Sequence, residues 1–480
     1  MRLLEERAFE KDTTPEDLME KAGRGIAAAI MRRYPAAGEA VACIGSGNNG
    51  GDALVALKYL ARAGWSVSVR CAVDRNNLRA LPRKKWRELE GLEGFSDSKF
   101  FETRLILDGL LGIGGFGSLR DPLASEAGWI NSQGSSQRTI VVAMDIPSGV
   151  NGDTGEPSKG AVVADLTLTV GVPKQGLLMP AAVNHAGSIE TIPLAELPLP
   201  EGGDLRLSDR HSLSGLLSRR PHDFHKGNAG RVGVIAGSRG MLGAAVLCST
   251  AAMRAGAGLV TLFCEQENYP LLAPMLPPEV MIRPVKSLTE IEVEKFDAFA
   301  IGPGLGMQSG DEGFVDLLRR IEVPFVLDAD GLNRIASLGV EEHLRSNMVL
   351  TPHPGEMQRL FPESENMNRL DVVRKFRDQF PDVCLLFKGA RSLIAKSGEP
   401  VFVNGSGNAG MASGGQGDVL TGVIASLLGQ GSGQGNATRL GAWLCGRSAE
   451  IAIHRGKQSE QSLLASDVIE HLGQAFCELD

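Results

Sequence analysis

The chain of 480 residues is too long for one ordinary hydrophobic core, and about 150 residues per domain allows two or three domains. Hydrophobic residues make up 43% of the chain and charged residues 22%, a balance that excludes a largely disordered protein. The formal net charge of -8 argues against a nonspecific nucleic-acid binder, because such proteins neutralise phosphates with a basic surface.

The seven cysteines are scattered without C-x-x-C spacing, which indicates neither a disulfide framework nor a zinc site. The start MRLLEERAFEKD is charged throughout, and no run of about 18 apolar residues occurs. We therefore expect a cytoplasmic protein that acts on small molecules and has neither nucleic acid nor membrane as a partner.

In chain order, the first predicted element is an amphipathic helix that starts at Thr14 and Pro15 and ends before Pro35. The segments AVACIG, SGNNGGD and ALVALKYLARAG then predict a strand, a glycine turn and a helix, and WSVSVRCAV predicts the next strand. This order is a βαβ unit, which predicts a parallel sheet with flanking helices. Further strands are predicted at 104–108, 139–145 and 162–170.

A domain boundary is predicted between about Leu197 and His222, where strand periodicity is lost and proline, glycine and charge accumulate. We place one domain at 1–200 and the other at 204–480. The second restarts with the strand RVGVIA, the helix-like LGAAVLCSTAAMRAGAG and the strand LVTLFCE, and the stretch from Gln416 onward predicts successive helices. The predicted fold class is α/β in both domains.

The loop after the first strand carries the first candidate site. Gly45, Gly47 and Gly50 match G-x-G-x-x-G, a pattern that presents backbone N–H groups to a dinucleotide pyrophosphate. The two amides and the carboxylate of NNGGD also offer oxygen ligands for a cation and donors for a sugar or phosphate. The alternative is that these residues only satisfy turn geometry.

Two later segments, LILDGLLGIGGFG and VVAMDIPSGVNGDTG, also place carboxylates at predicted strand ends. Asp108 ends one strand, and Asp145 ends another before Ser148. Ligands bind at the carboxyl ends of strands in open α/β sheets, so the three loops predict one shared site. The alternative for Asp108 and Asp145 is a role as helix caps or turn residues.

The chain resembles the NAD(P)H-hydrate epimerase domain over about residues 1–200. The resemblance rests on the sequence and order of four segments, GSGNNGGD, DGLLGIGGFG, AMDIPSGV and VGVPKQG. The resemblance implies a Rossmann-like three-layer αβα fold, a catalytic role for Asp145, and a potassium ion between Asn49, Asp108 and Ser148. The chain departs from the family's pattern at Ala53, where glycine is usual. The implied contacts to the hydrated dinucleotide are Asn48, Asn49, Gly50, Gly51, Asp52, Gly112, Ile113, Gly114, Gly115, Phe116, Gly117, Ser118 and Asp145.

In the second domain, NGSGNAGMASGGQGDVLTGVIASLL joins a run of small residues to an apolar helix. The turn presents N–H groups and a helix dipole to an anion and sets Asp418 beside it. Phosphoryl transfer needs this combination, since N–H groups stabilise the phosphoryl oxygens and a carboxylate accepts the proton of the attacking hydroxyl. The alternative is that Asp418 is only a favourable charge at a helix start.

Together with HKGNAGRVGVIAGSRGMLGAA, AIGPGLG, LDADGLN, LTPHPGEMQRL and FKGARSLI, this segment resembles the ADP- or ATP-dependent NAD(P)H-hydrate dehydratases, which have a ribokinase-like αβα fold. The resemblance implies that Asp418 is catalytic, although Gln416 departs from the small or hydroxyl residue common in the wider kinase family. Ala244, Gly306, His353 and Asp418 are implied to face the hydrated nicotinamide ring, and Lys388, Gly389, Ala390, Arg391, Ser392 and Gly417 to hold the nucleotide.

Alternatives stay open for several of these residues. His353 before Pro354 fits a structural turn, and Lys388 fits an ordinary solvated charge. Asp328 and Asp330 could hold Mg²⁺ directly or through water, but we assign them to no metal site.

The two resemblances imply one repair function. The first domain would interconvert the R and S forms of hydrated NADH and NADPH with K⁺ bound, and the second would dehydrate the S form with ADP or ATP and Mg²⁺, releasing phosphate and AMP or ADP. We also expect a homo-oligomer. The alternative function is a ribokinase-like small-molecule kinase with a noncatalytic N-terminal binding domain.

Overall fold

Two β-sheets, one in each half of the chain, form the framework of the protein. The computed structural model describes residues 2–11, 13–92, 104–114, 117–136, 139–198, 202–307, 311–456 and 458–479. The chain divides into two compact units, Met1–Gly202 with Asp209–His211, and Gly203–Ser208 with Ser212–Asp480. Both units are α/β structures, as predicted.

The described residues of the first unit form six strands and six helices. The strands are β1 Glu39–Ile44, β2 Ser66–Cys71, β3 Arg104–Gly109, β4 Thr139–Met144, β5 Leu166–Val170 and β6 Ser188–Ile192. The helices are α1 Arg2–Phe9, α2 Pro15–Arg33, α3 Asn48–Arg62, α4 Ala80–Glu90, α5 Leu123–Gly134 and α6 Val183–Ala186. All strands pair in parallel, in the order β2-β1-β3-β4-β5-β6.

Helices cover both faces of this sheet, because successive strand residues point to opposite faces. On β3, Leu105 and Leu107 belong to the core that contains residues of α2, α3 and α4. Ile106 belongs to a second core, with Ala127 and Ile130 of α5. All five residues are fully buried. The first unit is therefore a three-layer αβα structure.

In the second unit, the part of the chain that the structure describes forms ten strands in one sheet. They are β7 Leu205–Ser208, β8 Arg231–Ile235, β9 Leu259–Glu265, β10 Val280–Val285, β11 Ala298–Ile301, β12 Phe325–Leu327, β13 Met348–Leu350, β14 Cys384–Phe387, β15 Leu393–Ala395 and β16 Val401–Asn404. The order is β10-β9-β8-β11-β12-β13-β14-β15-β16-β7. Only β15 runs antiparallel to its neighbours among the described strands.

Further helices lie between these strands in the sequence and after the last of them. They are α7 Arg210–Leu213, α8 Leu242–Arg254, α9 Tyr269–Leu272, α10 Asp311–Arg320, α11 Asp330–Leu338, α12 Val340–His343, α13 Pro354–Leu360, α14 Arg369–Gln379, α15 Gln416–Gly429, α16 Gln434–His454 and α17 Ala465–Cys477. The helices predicted from Gln416 onward are therefore present. No helix among the described residues has the length and hydropathy needed to span a membrane.

Several segments differ from the prediction. The strand predicted at 162–170 is shorter and begins at Leu166. The charged N-terminal sequence, where no helix was predicted, forms α1. The predicted boundary segment, where strand periodicity is lost, contains β7, which pairs in parallel with β16 at one edge of the second sheet. Four residues are too few to show a period, so pairing with β16 decides the conformation of β7.

Candidate active sites

Three loops of the first unit meet at the carboxyl ends of β1, β3 and β4. Gly45 directly follows β1 and lies against the loop after β3. A Cβ on Gly45 would lie 2.2 Å from the carbonyl oxygen of Leu110, so only glycine fits. Helix α3 then begins at Asn48, which places the NNGGD segment in its first turn. Ala53, where the family usually has glycine, is fully buried, and a Cβ on Gly109 would lie 2.9 Å from the Ala53 Cβ.

The three predicted cation ligands lie in one hydrogen-bonded cluster. Asp108 is fully buried and accepts hydrogen bonds from Ser148 Oγ at 2.6 Å and Ser148 N at 2.7 Å. Ser148 Oγ also accepts from Leu111 N at 2.9 Å, and Asn49 Nδ2 donates to Leu111 O at 2.9 Å. The tertiary structure therefore brings Asn49, Asp108 and Ser148 together around the Leu111 backbone.

The chemistry of this cluster fits a hard cation. It offers carboxylate, hydroxyl, amide and carbonyl oxygens and no sulfur or imidazole ligand. Burial raises the pKa of Asp108 to about 6, against the hydrogen bonds from Ser148 and Leu110 that lower it. A cation beside this carboxylate would stabilise its charged form and offset the cost of burial.

Asp145 forms the second polar centre of the first unit. It has a positive φ of 69°, which is uncommon for a residue other than glycine. Its Oδ1 accepts from Val170 N at 2.9 Å and forms a short ion pair with Lys174. Lys174 is buried and also donates to Val170 O at 2.9 Å. The strained backbone and the ion pair hold the Asp145 carboxylate in one position.

A pocket of about 100 Å³ opens beside these residues, at the start of α3. Asn48, Asp52 and Val170 line it, together with apolar side chains of α2 such as Leu18. Burial, followed by the charges of Asp145 and Glu5, raises the pKa of Asp52 well above its usual range.

Other predicted dinucleotide contacts differ in exposure. Gly50 and Gly51 are buried in the first turn of α3, where a Cβ on Gly51 would lie 2.4 Å from Met19. Gly112 and Ile113 are half-buried, while Gly114, Gly117 and Ser118 are exposed and available to a ligand. The predicted contacts Gly115 and Phe116 lie outside the described residues.

In the second unit, the glycine turn opens α15 as predicted. Gly415 caps the helix with a left-handed φ of 90°, so the following N–H groups of its first turn remain available to an anion. Asp418 lies in this first turn, half-buried. Burial and the negative charge of Asp328 raise the pKa of Asp418 to about 6, and Lys388 opposes this.

Asp328 and Lys388 form an ion pair beside that turn. Lys388 Nζ lies 2.7 Å from Asp328 Oδ1 and 3.7 Å from Glu356 Oε2. Thr421 Oγ1 donates to the other oxygen of Asp328 at 2.9 Å. Burial disfavours the charged ammonium of Lys388. The negative charges of Asp328, Glu356 and Asp418 outweigh this effect, so the pKa of Lys388 is raised. Lys388 is therefore a fixed cation and not a solvated surface charge.

His353 caps helix α13. Its Nδ1 accepts from Gly355 N at 3.0 Å and from Glu356 N at 3.3 Å, while His353 N donates to Glu356 Oε2 at 2.8 Å. This reciprocal pattern is a capping box. Its Nε2 lies 3.3 Å from Glu356 Oε1, and the imidazole is 51% exposed on its side-chain surface, so the ring can also meet a ligand. His353 therefore caps a helix, and its contact with the hydrate stays a prediction.

The turn GPGLG packs against the start of α8. Gly306 N donates to Asp330 Oδ2 at 2.8 Å, and Gly306 O accepts from Arg334 Nη2 at 2.7 Å. A Cβ on Gly304 would lie 3.1 Å from the Cβ of Ala244, so the two predicted hydrate-contact segments are neighbours. Hydrogen bonds on both sides fix the backbone of Gly306.

The predicted nucleotide loop, 388–392, connects β14 and β15. Arg369 Nη2 donates to the carbonyl oxygens of Phe387 and Lys388, each at 3.0 Å. Arg391 is 5% exposed, and burial lowers its pKa to about 10. Ser392 Oγ donates to Gly389 O at 3.3 Å, and Ala390 is exposed at the tip.

Three polar residues of these sites were assigned no role from the sequence. Lys174 lies in the VGVPKQG motif, but its pairing with Asp145 depends on a contact across 29 residues. Thr421 follows Asp418 by three positions, a spacing that places two residues on one helix face. Glu356 follows His353 by three, the spacing of a capping box, and so could have been found.

Two family models match the chain. One, described as the YjeF-related protein N-terminus, matches residues 15–176, and the other, described as NAD(P)H-hydrate dehydratase, matches residues 232–471. Among curated relatives, the bifunctional NAD(P)H-hydrate repair enzyme Nnr of Coxiella burnetii is 34% identical over 98% of this chain and 97% of its own length. The Nnr protein of Escherichia coli is 33% identical over 95% of this chain and 88% of its own.

Among solved structures, an ADP/ATP-dependent NAD(P)H-hydrate dehydratase from Bacillus subtilis, co-crystallised with ATP and Mg²⁺, is 27% identical with a TM-score of 0.51. The match covers 58% of this chain and 100% of the other. A hypothetical protein from Streptococcus mutans is 23% identical with a TM-score of 0.50 over 57% of this chain and 99% of its own, and shows the fold alone. The predicted ribokinase-like class of the second unit is confirmed.

Proposed function

Because the chain belongs to the family of bifunctional NAD(P)H-hydrate repair enzymes, we propose that its first unit epimerises hydrated NADH and NADPH and that its second unit dehydrates them at the expense of a nucleoside phosphate. The observation that carries the second activity is the Gly415 turn of α15, which sets Asp418 beside the Asp328–Lys388 ion pair. The alternative, a kinase with a noncatalytic first unit, explains neither the fixed Asp145–Lys174 pair nor the oxygen cluster of Asp108.

The dehydration follows from the chemistry of the hydrate. Water has added across a ring double bond, which leaves a hydroxyl on the carbon beside the ring nitrogen, and hydroxide is a poor leaving group. Asp418 accepts the hydroxyl proton as the oxygen attacks the terminal phosphorus of ATP or ADP, and the bond to the leaving nucleotide breaks. The ring nitrogen lone pair then expels phosphate, and loss of a proton restores the dihydronicotinamide. The products are phosphate and ADP or AMP.

The residues around the phosphoryl group fit this step. The N–H groups at the start of α15 stabilise negative charge on the phosphoryl oxygens, and the Lys388 ammonium adds a fixed positive charge. We assign nucleotide contacts to Lys388–Ser392 and Gly417, and hydrate contacts to Ala244, Gly306, His353 and Asp418.

Mg²⁺ fits this site as an ion that arrives with the nucleotide. Magnesium takes few carboxylates together with phosphate oxygens, and it supplies charge neutralisation on the phosphates. Both oxygens of Asp328 already have partners, Lys388 and Thr421. The described residues contain no group of three or more His, Cys, Asp or Glu side chains that could hold a metal alone.

Epimerisation requires the same carbon to open at the ring nitrogen and close on the other face. In the first unit, we assign the exchange of the hydroxyl proton to Asp145, whose carboxylate is held by Lys174 and Val170 N. We assign Asn49, Asp108 and Ser148 to K⁺, supported by their oxygen-only donor set. The 48–52 and 112–118 segments would then contact the dinucleotide.

The test is incubation of the protein with both hydrate epimers and either ATP or ADP, following recovery of dihydronicotinamide absorbance and release of phosphate. We expect both epimers to be consumed with nucleotide present, and only their ratio to change without it. A stable phosphate ester with no recovered absorbance would contradict dehydration in favour of a kinase.

Two further predictions concern the setting of the protein. All seven cysteines are free, which supports a cytoplasmic location with its reducing conditions. Homo-oligomerisation stays a prediction, which analytical ultracentrifugation of the full chain tests.

A further inference from the structure

A buried chain of ion pairs runs through α16 and α17 of the second unit. Arg447 Nη1 lies 2.6 Å from Glu450 Oε2, and its other nitrogens lie 2.8 and 3.0 Å from the two carboxylate oxygens of Glu478. Arg455 also binds Glu478, at 2.7 Å. Arg447 and Glu450 are 1% and 2% exposed, so solvent screens their charges little. Such buried pairs add little net stability, and their best-attested use is to fix geometry.

One end of this chain of ion pairs contacts the glycine-rich loop that leads to α15. Glu450 Oε1 accepts a hydrogen bond from Gly407 N at 2.8 Å. The loop lies directly on α16, since a Cβ on Gly446 would be 2.3 Å from Ser406 Oγ and 2.8 Å from Gly407 N. Ser406 Oγ donates to the carbonyl oxygen of Trp443 at 3.0 Å. The start of the loop is therefore fixed to α16 before the chain reaches the phosphate-binding turn.

The negative charge of Glu450 also favours the charged form of Arg391, whose pKa burial otherwise lowers. Arg391 belongs to the 388–392 loop between β14 and β15. The hydrogen bond from Gly407 N is the contact that ties Glu450 to the segment leading to Asp418. The carboxylate oxygens of Glu478, in contrast, bind the side chains of Arg447 in α16 and Arg455 beside it.

On the basis of the proposed function, we propose that Glu450 is a positioning residue for nucleotide binding, which holds the 404–418 loop against α16. The carboxylate accepts from Gly407 N on one oxygen and pairs with Arg447 on the other. Arg447 is in turn held by Glu478. Glu450 touches neither nucleotide nor hydrate in this proposal, and acts through this loop.

The test is Glu450→Gln in the full chain. Glutamine keeps the size of the side chain and an oxygen for Gly407 N, but it removes the negative charge and turns an N–H group toward an arginine. We expect the Kd for ATP with Mg²⁺, measured by calorimetry without hydrate, to rise at least about tenfold, as expected when a binding group is misplaced. At saturating ATP, the rate of dehydration should fall by less than about threefold.

Glu478→Gln is the matched control, because it removes one charge from the other end of the same chain of ion pairs, where Glu478 binds Arg447 and Arg455. It should lower the unfolding temperature while the Kd for ATP stays within about twofold of the parent. Equal effects of both variants on the Kd, or none from Glu450→Gln, would overturn the positioning role. Epimerisation by the same polypeptides checks that the first unit is intact.

Gly446→Ala is a second variant for the case in which Glu450→Gln does not fold. Its Cβ pushes the 406–407 backbone away from α16 without changing any charge, and alanine suits a helix better than glycine. An unchanged Kd for ATP in this variant would also overturn the proposal. If the unsubstituted protein binds ATP but restores no NADH, the proposed dehydration alone is contradicted. If it binds no ATP, both the dehydration and the positioning role of Glu450 are contradicted.

Discussion

Two carboxyl groups, one in each unit, have a pKa that burial raises to about 6. Asp108 is fully buried among hydrogen-bond donors, and Asp418 is half-buried and follows Gly417, which lies beside the Asp328–Lys388 ion pair. A carboxylate with a raised pKa is a stronger base than an ordinary aspartate, which suits proton abstraction by Asp418. At Asp108 the same cost of burial suits a bound cation.

Asp418→Asn is expected to slow nucleotide-dependent recovery of NADH by about 10²–10⁴-fold, the usual contribution of a general base. Because the base must be ionised, dehydration by the parent should fall as the pH drops below about 6. The raised pKa also means that the ionised carboxylate destabilises the folded state at neutral pH, so the variant should not unfold earlier. Steady-state rates with both hydrate epimers give the measurement.

Epimerisation by Asp418→Asn serves as the internal control and should match the parent. A dehydration rate within about twofold of the parent would remove Asp418 from the catalytic role and leave it as a charge at a helix start.

Asp108→Ala is expected to lower epimerisation by roughly 10–100-fold, because it removes a cation ligand and its hydrogen bonds to Ser148. Dehydration of the S epimer should be unchanged, since Asp418 lies in the other unit. Epimerisation rates over a series of K⁺ concentrations measure the effect. Asp108→Asn keeps the size of the side chain and separates the loss of charge from the loss of packing. A parallel fall of both activities in a folded variant would speak against independent sites.

At the scale of elements, strand ends and helix starts carry both sites. Helices α3, α13 and α15 each begin at a predicted site segment, where their first N–H groups are not used inside the helix. Helix α13 differs from the others because the side chain of His353 caps it. This position combines a structural role and a predicted ligand contact in one residue.

Substitution of His353 separates the two roles. Asparagine is a good N-cap residue, so His353→Asn should keep the stability of the parent, while His353→Ala should cost about 0.5–2 kcal/mol. Both variants should raise the KM for the hydrate if the imidazole contacts it. Thermal unfolding and dehydration kinetics of the two variants provide the comparison. Parental kinetics in His353→Asn would leave His353 with the capping role alone.

At the scale of the whole molecule, each unit has its own core and its own site. The chain leaves the first unit at Gly202, forms β7 in the second sheet, and contributes Asp209–His211 to the first unit. Asp209 accepts a hydrogen bond from Thr191 N on β6 at 2.7 Å. A cut before β7 therefore removes the Asp209 contact from the first unit, whereas a cut after residue 211 removes β7 from the second unit.

Fragments 1–202 and 203–480 are expected to fold and to separate epimerisation from dehydration, with a modest loss of stability in the first through the missing Asp209. A cut after residue 211 is the matched comparison, because it removes β7 from β16 and exposes the strand that leads to the 404–418 loop. The second fragment should then be less stable and less active. Circular dichroism and the two assays measure this, and inactive fragments from the first cut would contradict the two-module prediction.

Local sequence determined most of the elements and the identity of the site motifs. Thr14 and Asp17 form the capping box that starts α2, and the glycine turn before Asp418 starts α15, because these signals act within a few residues. Segments without a local period were missed: α1 is too charged, and β7 is too short. β7 is a strand because β16 supplies its hydrogen bonds.

Only the tertiary structure decided which side chains meet. The Asp108–Ser148 pair spans 40 residues, the Asp328–Lys388 pair 60, and the Gly407–Glu450 contact 43. The sequence marked most of these residues individually, but their distances depend on strand order and on how closely loops pack, as at Gly45 and Gly446. The raised pKa values of Asp108 and Asp418 are likewise tertiary properties, because they arise from burial and from charges on other elements.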